Sequence, residues 1–434
     1  MKHFFRSRST VLVVIGLLLL SFLLSTVIPQ RLSMPATALQ KWRIGHPLLT
    51  NAADWAGLDH VYTTVWFSIL LAAFLLALCL SAIDQFTLSR KRTFQIPQRP
   101  LQPAEVISNT LDQIEEAVRK GGYVKVSAME NGRRFLKHPW GLWGNFLFHA
   151  GLVVVIGFSL VIVCRESRGK LRMEEGRRVS PGEPWSGQEY GILASPLHLP
   201  GDVELKNLEL QFYTTDELRQ AGSQLLFYSR GGVDEIKIGV NEPVWYGGIK
   251  VYQTLDTGHN FYLEITGPDG ETRMQGLQFL LPARRDRASY NEFRLDWLPY
   301  SLKGKYFVDA AQKTMLGDNP LLVLRMYDNE TLLGELPLTK GASGMLGPYR
   351  VKLKSAARWA GVLFVDITGM AGVFAGFFII VIGGALNYFT PPREITAWSE
   401  NGSRLVEWKA GRFGRLFRTE YEEIRKTLRR TEPK

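Results

Sequence analysis

The sequence predicts an integral membrane α-helical protein with four transmembrane helices and a large β-rich extracytoplasmic domain between helices 3 and 4. Three observations predict this. The hydrophobic residues, 46% of the 434, gather in four runs without a charge. Lys and Arg gather in the segments that would share one side of a bilayer. Between the third and fourth runs, apolar and polar residues alternate in short stretches broken by Gly and Pro, the pattern of strands and turns.

The four runs are Val11–Ile28, Thr64–Ile83, Gly141–Cys164 and Ile367–Phe389. A bilayer core about 30 Å thick needs about 20 apolar residues at a rise of about 1.5 Å each, and every run is long enough. The chain therefore divides into an N-terminus with the first span (1–28), an outer loop (29–63), the second span (64–83) and an inner segment (84–140). The third span (141–164), an outer domain (165–366), the fourth span (367–389) and a basic tail (390–434) complete it. Lys2, Arg6 and Arg8 precede the first run, segment 84–140 carries 10 Lys and Arg against 6 Asp and Glu, and the tail carries 11 against 7. These three segments account for the whole net charge of +11. Positively charged loops stay in the cytoplasm, so both termini and 84–140 are expected inside, with 29–63 and 165–366 outside the cytoplasmic (inner) membrane. The basic balance is a topology signal and gives no reason to expect nucleic acid as a partner. Ala36-Thr37-Ala38 resembles a signal-peptide cleavage site, but the apolar run before it exceeds the usual length and the site lies well past its end. A retained anchor is expected.

Segment 84–140 reads as a small αβ unit. Pro103 suits a first helical turn, and Val106, Leu111, Ile114 and Val118 fall near one face before Gly121-Gly122 stops the helix. Tyr123–Val126 alternates as a strand, and Asn131-Gly132 is a hairpin signal. In the outer domain, Leu208–Phe212, Glu235–Ile238 and Phe261–Ile265 alternate between the breaks Gly231-Gly232, Gly247-Gly248 and Pro268-Asp269-Gly270, as in an antiparallel sandwich or open barrel. In the tail, Phe413, Leu416, Phe417, Tyr421, Ile424 and Leu428 recur at helical spacing. That amphipathic helix has two places to go, the inner leaflet or a face of the 84–140 unit.

There is no phosphate loop, nucleophile elbow or His-rich metal cluster. The two cysteines, Cys79 and Cys164, fall near opposite ends of their spans, whereas a disulfide needs Cα atoms within about 7 Å. Without CxxC or CxxCH, thioredoxin-type and c-type cytochrome chemistry are both excluded. Seven histidines are scattered along the chain, at positions 3, 46, 60, 138, 149, 198 and 259. His149 alone lies inside a span, about 12 Å from Gly141. An ionisable group there is costly and marks a functional site by default. A neutral imidazole at that depth has two readings, a haem-iron ligand or a hydrogen-bonding partner of a neighbouring helix. His138 reads as a solvated flank, and His46 and His60 as outer-loop residues. Gly372 and Gly376 form a GxxxG pattern, a sign of close helix contact.

Several strings resemble the ResB family, the CcsB-type subunit of system II cytochrome c biogenesis. They are Thr26-Val27-Ile28-Pro29-Gln30, Leu58 to Phe67 followed by Cys79 and Asp84, and Trp143-Gly144-Asn145 leading to His149 and Gly157. The most specific is Val240-Asn241-Glu242-Pro243 with Tyr246-Gly247-Gly248 and Tyr252-Gln253. Trp359-Ala360-Gly361-Val362 and Asp366 complete the set. Ile367-Thr368-Gly369 departs from the family's Pro-Gly after the aspartate, and Thr63 stands where many relatives carry His. The resemblance implies a non-autonomous subunit of a cytochrome c haem lyase complex, with no catalytic residue of its own. It implies haem b in transit, shared with a CcsA-type membrane partner and held in this chain by His149. Apocytochrome c, a thioredoxin-like thiol reductant pathway and membrane lipid are the other implied partners. The rival reading is a membrane-anchored sensor or binding module with an outer β domain. A transporter would show more spans and paired intramembrane charges.

Overall fold

The computed structural model describes residues 2–34, 36–100 and 104–430. The chain divides into two compact units, one of residues 1–21, 65–162 and 369–434, the other of residues 22–64 and 163–368.

Nine helices punctuate the described residues: α1 (Lys2–Arg6), α2 (Arg8–Val27), α3 (Ala36–Gly45), α4 (Pro47–Ala56), α5 (Val65–Phe94), α6 (Leu111–Lys120), α7 (Gly144–Arg165), α8 (Met370–Phe389) and α9 (Arg418–Arg430). Four of them, α2, α5, α7 and α8, are long and apolar enough to cross a membrane, as the four runs predict. The helix bounds differ from the runs in instructive ways. The second extends to Phe94, well beyond Ile83. The third begins at Gly144, because Pro139–Trp143 forms a tight 3₁₀ turn. The fourth begins at Met370, because Asp366 still belongs to a strand.

In the first unit, α7 and α8 meet along a seam of small residues. A Cβ built on Gly151 would lie 2.7 Å from the Ile380 backbone nitrogen, and one on Gly376 2.8 Å from that of Val155. One on Gly383 would lie 2.5 Å from the Phe148 nitrogen. Asn387 Nδ2 donates to Asn145 Oδ1 at 3.0 Å across the same contact. The close approach expected of Gly372 and Gly376 is present, with the Phe158 ring filling the space beside Gly372.

The unit's polar part is a five-stranded antiparallel sheet in the order 105–107, 403–410, 393–400, 132–137, 124–129. The tail is thus half of a domain whose other half precedes the third span. Ile114, Ala117 and Val118 of α6 and Ile424 and Leu428 of α9 cover one core with Phe135, Ile395, Ala397 and Val406. Of the two places open to the terminal helix, it takes the domain face. Phe413, Leu416 and Phe417 precede α9 and are not part of it; Phe417 instead lies 4.2 Å beneath the Arg393 guanidinium.

The helix expected from Pro103 needs correction. Pro103 lies outside the described residues, and Val106 belongs to the strand Glu105–Ile107. The helix starts at Leu111, where Thr110 and Gln113 form a reciprocal capping box that satisfies two backbone donors. Gly121 ends it as expected. Buried Arg134 joins the sheet to α5. It pairs with Glu394 at 2.7 Å and donates to the carbonyls of Arg92 and Thr93, a cation at the carboxyl end of a helix.

The second unit is the β-rich domain together with α3, α4, the last residues of α2 (22–27) and the last residues of α7 (163–165). Its spine is a ladder of two 18-residue antiparallel strands, Ile249–Thr266 and Tyr349–Asp366. One half of this ladder packs on a four-stranded sheet (178–179, 202–212, 218–229, 232–239) around Leu205, Phe227, Val251 and Phe364. The other half packs on a second sheet (289–294, 301–307, 321–328, 331–338) around Phe261, Phe279, Tyr306 and Leu324. The domain is therefore antiparallel and sandwich-like, in two lobes that share one sheet. Gly247 and Gly248, both at positive φ, make the two-residue turn between Tyr246 and Ile249.

Candidate functional site

His149 sits five residues, about 7.5 Å, into α7. This is shallower than the run had implied, because the 3₁₀ turn takes up its first residues. The ring Nδ1 lies 2.8 Å from the Asn145 carbonyl of its own helix. A carbonyl only accepts, so Nδ1 carries the proton and the Nε2 lone pair is left available. Among the described residues, neither a neighbouring helix nor any other element gives the ring a second hydrogen bond.

The neighbours of α7 fix where that lone pair can be used. Gly144, Gly151, Val155 and Phe158 face α8, and Phe146 meets Phe86 of α5 edge-on at 5.3 Å. At about 100° per residue, His149 lies about 150° around α7 from the α8 seam and about 60° from Phe146. It stands half-buried, off the α8 seam. Only 6% of the apolar window of this helix is buried within the chain, the least of the four. The arrangement can ligate a metal centre brought from outside the chain. An imidazole whose second nitrogen is tied to a carbonyl has its tautomer and ring plane set for coordination. Among the described residues there is no cluster of His, Cys, Asp and Glu able to hold a bare metal ion, so any metal here would need most of its ligands from elsewhere.

The other histidines separate cleanly. His259 is a core residue, with Tyr306 Oη 2.6 Å from its Nδ1. His46 stacks on Trp42 at 5.0 Å and bonds its carbonyl. His138 departs from the solvated flank expected of it. Its backbone is left-handed, its Nδ1 is buried without a partner, and burial with Arg393 and Lys137 nearby lowers its pKa.

His60 belongs to a cluster assembled from separate turns of segment 29–63. Its Nδ1 lies 2.7 Å from Asp59 Oδ1, and the other Asp59 oxygen receives Arg31 at 2.6 Å and Arg43 at 2.7 Å. Burial works to raise the Asp59 pKa, but the hydrogen bonds from His60 and Arg31 outweigh it and hold it at about 2. A spacing signal existed only for the Asp59–His60 neighbours, since Arg31 and Arg43 come from other turns of the loop.

The Val240–Gln253 signature proves to be scaffold. Tyr246 packs on Phe227 with centroids 4.1 Å apart and donates to Asp234, while buried Gln253 joins Ser223 to the Thr254 carbonyl. Cys79 and Cys164 are both free thiols, Cys164 buried.

The ResB-like family matches residues 9–277. The chain is 26% identical over 388 residues to the cytochrome c biogenesis protein CcsB of Synechococcus sp. (strain RCC307), covering 81% of each chain. It is 24% identical over 405 residues to the CcsB of Trichormus variabilis, covering 88% of this chain and 83% of that one. Against the cytochrome c biogenesis protein Ccs1 of Rhodomonas salina the identity is 25% over 391 residues, covering 84% and 81%. The family match over residues 9–277, on a chain with four membrane-competent helices, leads to one conclusion: the chain belongs to the ResB-like family.

Proposed function

We propose that this chain works in cytochrome c biogenesis as a multi-pass subunit of the cytoplasmic membrane, with both termini inside and the β domain outside. In this reading it carries haem outward and presents it, with apocytochrome c, to a CcsA-type partner for thioether formation. It acts as a non-autonomous part of a haem lyase complex. The relatives' names supply the process, and the charge asymmetry of the loops supports the orientation.

The observation that carries the reading is His149 itself, with Nδ1 tied to the Asn145 carbonyl and Nε2 left uncommitted, off the α8 seam on the least buried of the four apolar helices. Haem is the cargo, and its iron accepts axial imidazole ligands. A haem held between two subunits needs one ligand from each, so a single intramembrane histidine suffices. The Asn145 carbonyl fixes the tautomer, and the α8 seam fixes the helix that presents it. With two free cysteines far apart in the sequence and no CxxC pattern, the chain would leave the reduction of the apocytochrome thiols to a separate thioredoxin-like pathway.

The test is cytochrome c maturation in cells that depend on this chain and its partner. His149→Gly is expected to abolish covalent haem attachment at unchanged membrane levels of the protein, and added imidazole to restore part of it. Full maturation in the variant without imidazole would refute the assignment.

A further inference from the structure

The helix α5 outlasts its apolar run. Its 30 residues extend about 45 Å against about 30 Å of hydrocarbon, so the end past Ile83 stands at headgroup depth. There Gln85, Leu88, Ser89 and Arg92 recur at helical spacing along one face. That face closes one side of a cavity of about 140 Å³. The other walls carry Asn145 at the start of α7, Asn387 near the end of α8 and Arg412 just after the strand 403–410. All of these residues belong to the first unit.

The chemistry of the walls is one-sided. Ser89 donates to the Leu142 carbonyl, and Asn387 donates to the Asn145 side-chain oxygen, which leaves the Asn145 amide nitrogen uncommitted. Among the described residues, the side chains of Gln85, Arg92 and Arg412 make no hydrogen bond and no ion pair. Other arginines of the same unit are matched, Arg134 by Glu394 and Arg393 by Glu420. No carboxylate lines the cavity, and Asp84, next to Gln85 on α5, is held by Arg6 at 2.8 Å. Two guanidinium groups and two amides thus offer donors to a space that contains no negative charge of the protein.

Aromatic side chains mark the level of this space. Trp140 shortly precedes α7, Tyr388 and Phe389 end α8, and all three are exposed, as in the aromatic belts where spans enter the headgroups. We propose that the cavity binds the phosphate of an anionic phospholipid. Arg92 and Arg412 donate to the phosphate oxygens through charge-assisted hydrogen bonds, the Gln85 and Asn145 amides add further donors, and the acyl chains stay in the bilayer. A free phosphate ion has the same oxygens, but the belt puts the cavity where lipid phosphates lie. Only the assignment to the inner leaflet rests on the orientation proposed above.

The experiment titrates the full chain in detergent with dioleoylphosphatidylglycerol and with dioleoylphosphatidylcholine, counting bound lipids by native mass spectrometry. The first phosphatidylglycerol is expected to bind about 25-fold more tightly, at about fivefold for each arginine, because the choline cation would face the same two guanidinium groups. The preference should shrink as ammonium acetate rises. Arg92→Gln and Arg412→Gln are each expected to lower it about fivefold. Arg415→Gln, at an exposed arginine outside the cavity, is expected to keep it, and millimolar ammonium phosphate to leave the lipid bound. Equal binding of the two lipids by the wild-type chain, a comparison needing no variant, would overturn the proposal. So would an undiminished preference in the folded Arg92→Gln and Arg412→Gln chains, or an equal loss in Arg415→Gln, which would make it general surface charge. Displacement by ammonium phosphate would assign the cavity to the free ion instead. Neither haem nor a partner protein enters the measurement, so its failure leaves the haem-ligand reading untouched.

Discussion

Acid should weaken the β domain through one buried side chain. His259 is 3% exposed, packed beside Phe261 and Tyr306, and Tyr306 Oη sits at its Nδ1. Burial, with Arg358 adding to it, drives its pKa from the ordinary 6.5 to about 4. A depressed histidine favours folding while neutral, so its contribution is complete above pH 6.5 and withdraws as the pH falls towards 4. At pH 4.5 the loss comes to about 2.5 kcal/mol, from 1.36 kcal/mol for each pH unit over that interval. The assay is chemical denaturation of the full chain in detergent at pH 7.5 and 4.5, followed by tryptophan emission, for wild type and His259→Gln. The variant is less stable at pH 7.5, having lost the ring packing, but it is expected to lose about 2.5 kcal/mol less than wild type on acidification. An equal loss in both proteins would refute the argument, because the destabilising protons would then bind elsewhere.

Three further outcomes follow from packing and charge. Gly383→Val forces its new Cβ against the Phe148 nitrogen and should lower stability by about 1–3 kcal/mol. Gly384→Val meets open space and should leave the melting temperature unchanged, so equal melting of the two variants would count against the seam. Arg134→Met leaves Glu394 and two carbonyls at the end of α5 without their partner; about 3 kcal/mol is expected to be lost, seen as faster hydrogen exchange in 393–410. Asp59→Asn removes the ion pair of Arg31 and leaves Arg43 only its pair with Asp54, and should expose loop 29–63 to proteolysis at neutral pH. Wild type should reach that state only as the pH falls from about 4 to about 2, where the carboxylate takes up its proton.

How much was legible depended on how local each signal was. The four apolar helices and the strand alternation are properties of consecutive residues, and both were readable. The capping box of Thr110 and Gln113 was readable too, yet Pro103 attracted the helix start because a proline at a first turn is an equally local cue. What escaped was the pairing of distant segments. Nothing in 84–140 or 390–434 alone says that Ile107 and Ile395 share a core, since they are joined only when the chain has folded through the whole β domain between them. The tail's apolar spacing was genuine for Tyr421, Ile424 and Leu428, but it ran on into Phe413 and Leu416, which precede α9. His149 stood out because a polar residue is conspicuous in an apolar run.

The central claim is that His149 presents a haem ligand, and the most direct measurement is the visible spectrum of the chain purified with its CcsA-type partner, compared with the same complex carrying His149→Ala. The account expects sharp reduced-haem bands in the wild-type complex that weaken or vanish in the variant at equal protein yield, and return with added imidazole. Identical haem spectra in the two complexes would contradict it, leaving His149 a structural residue of α7 and the ligand elsewhere.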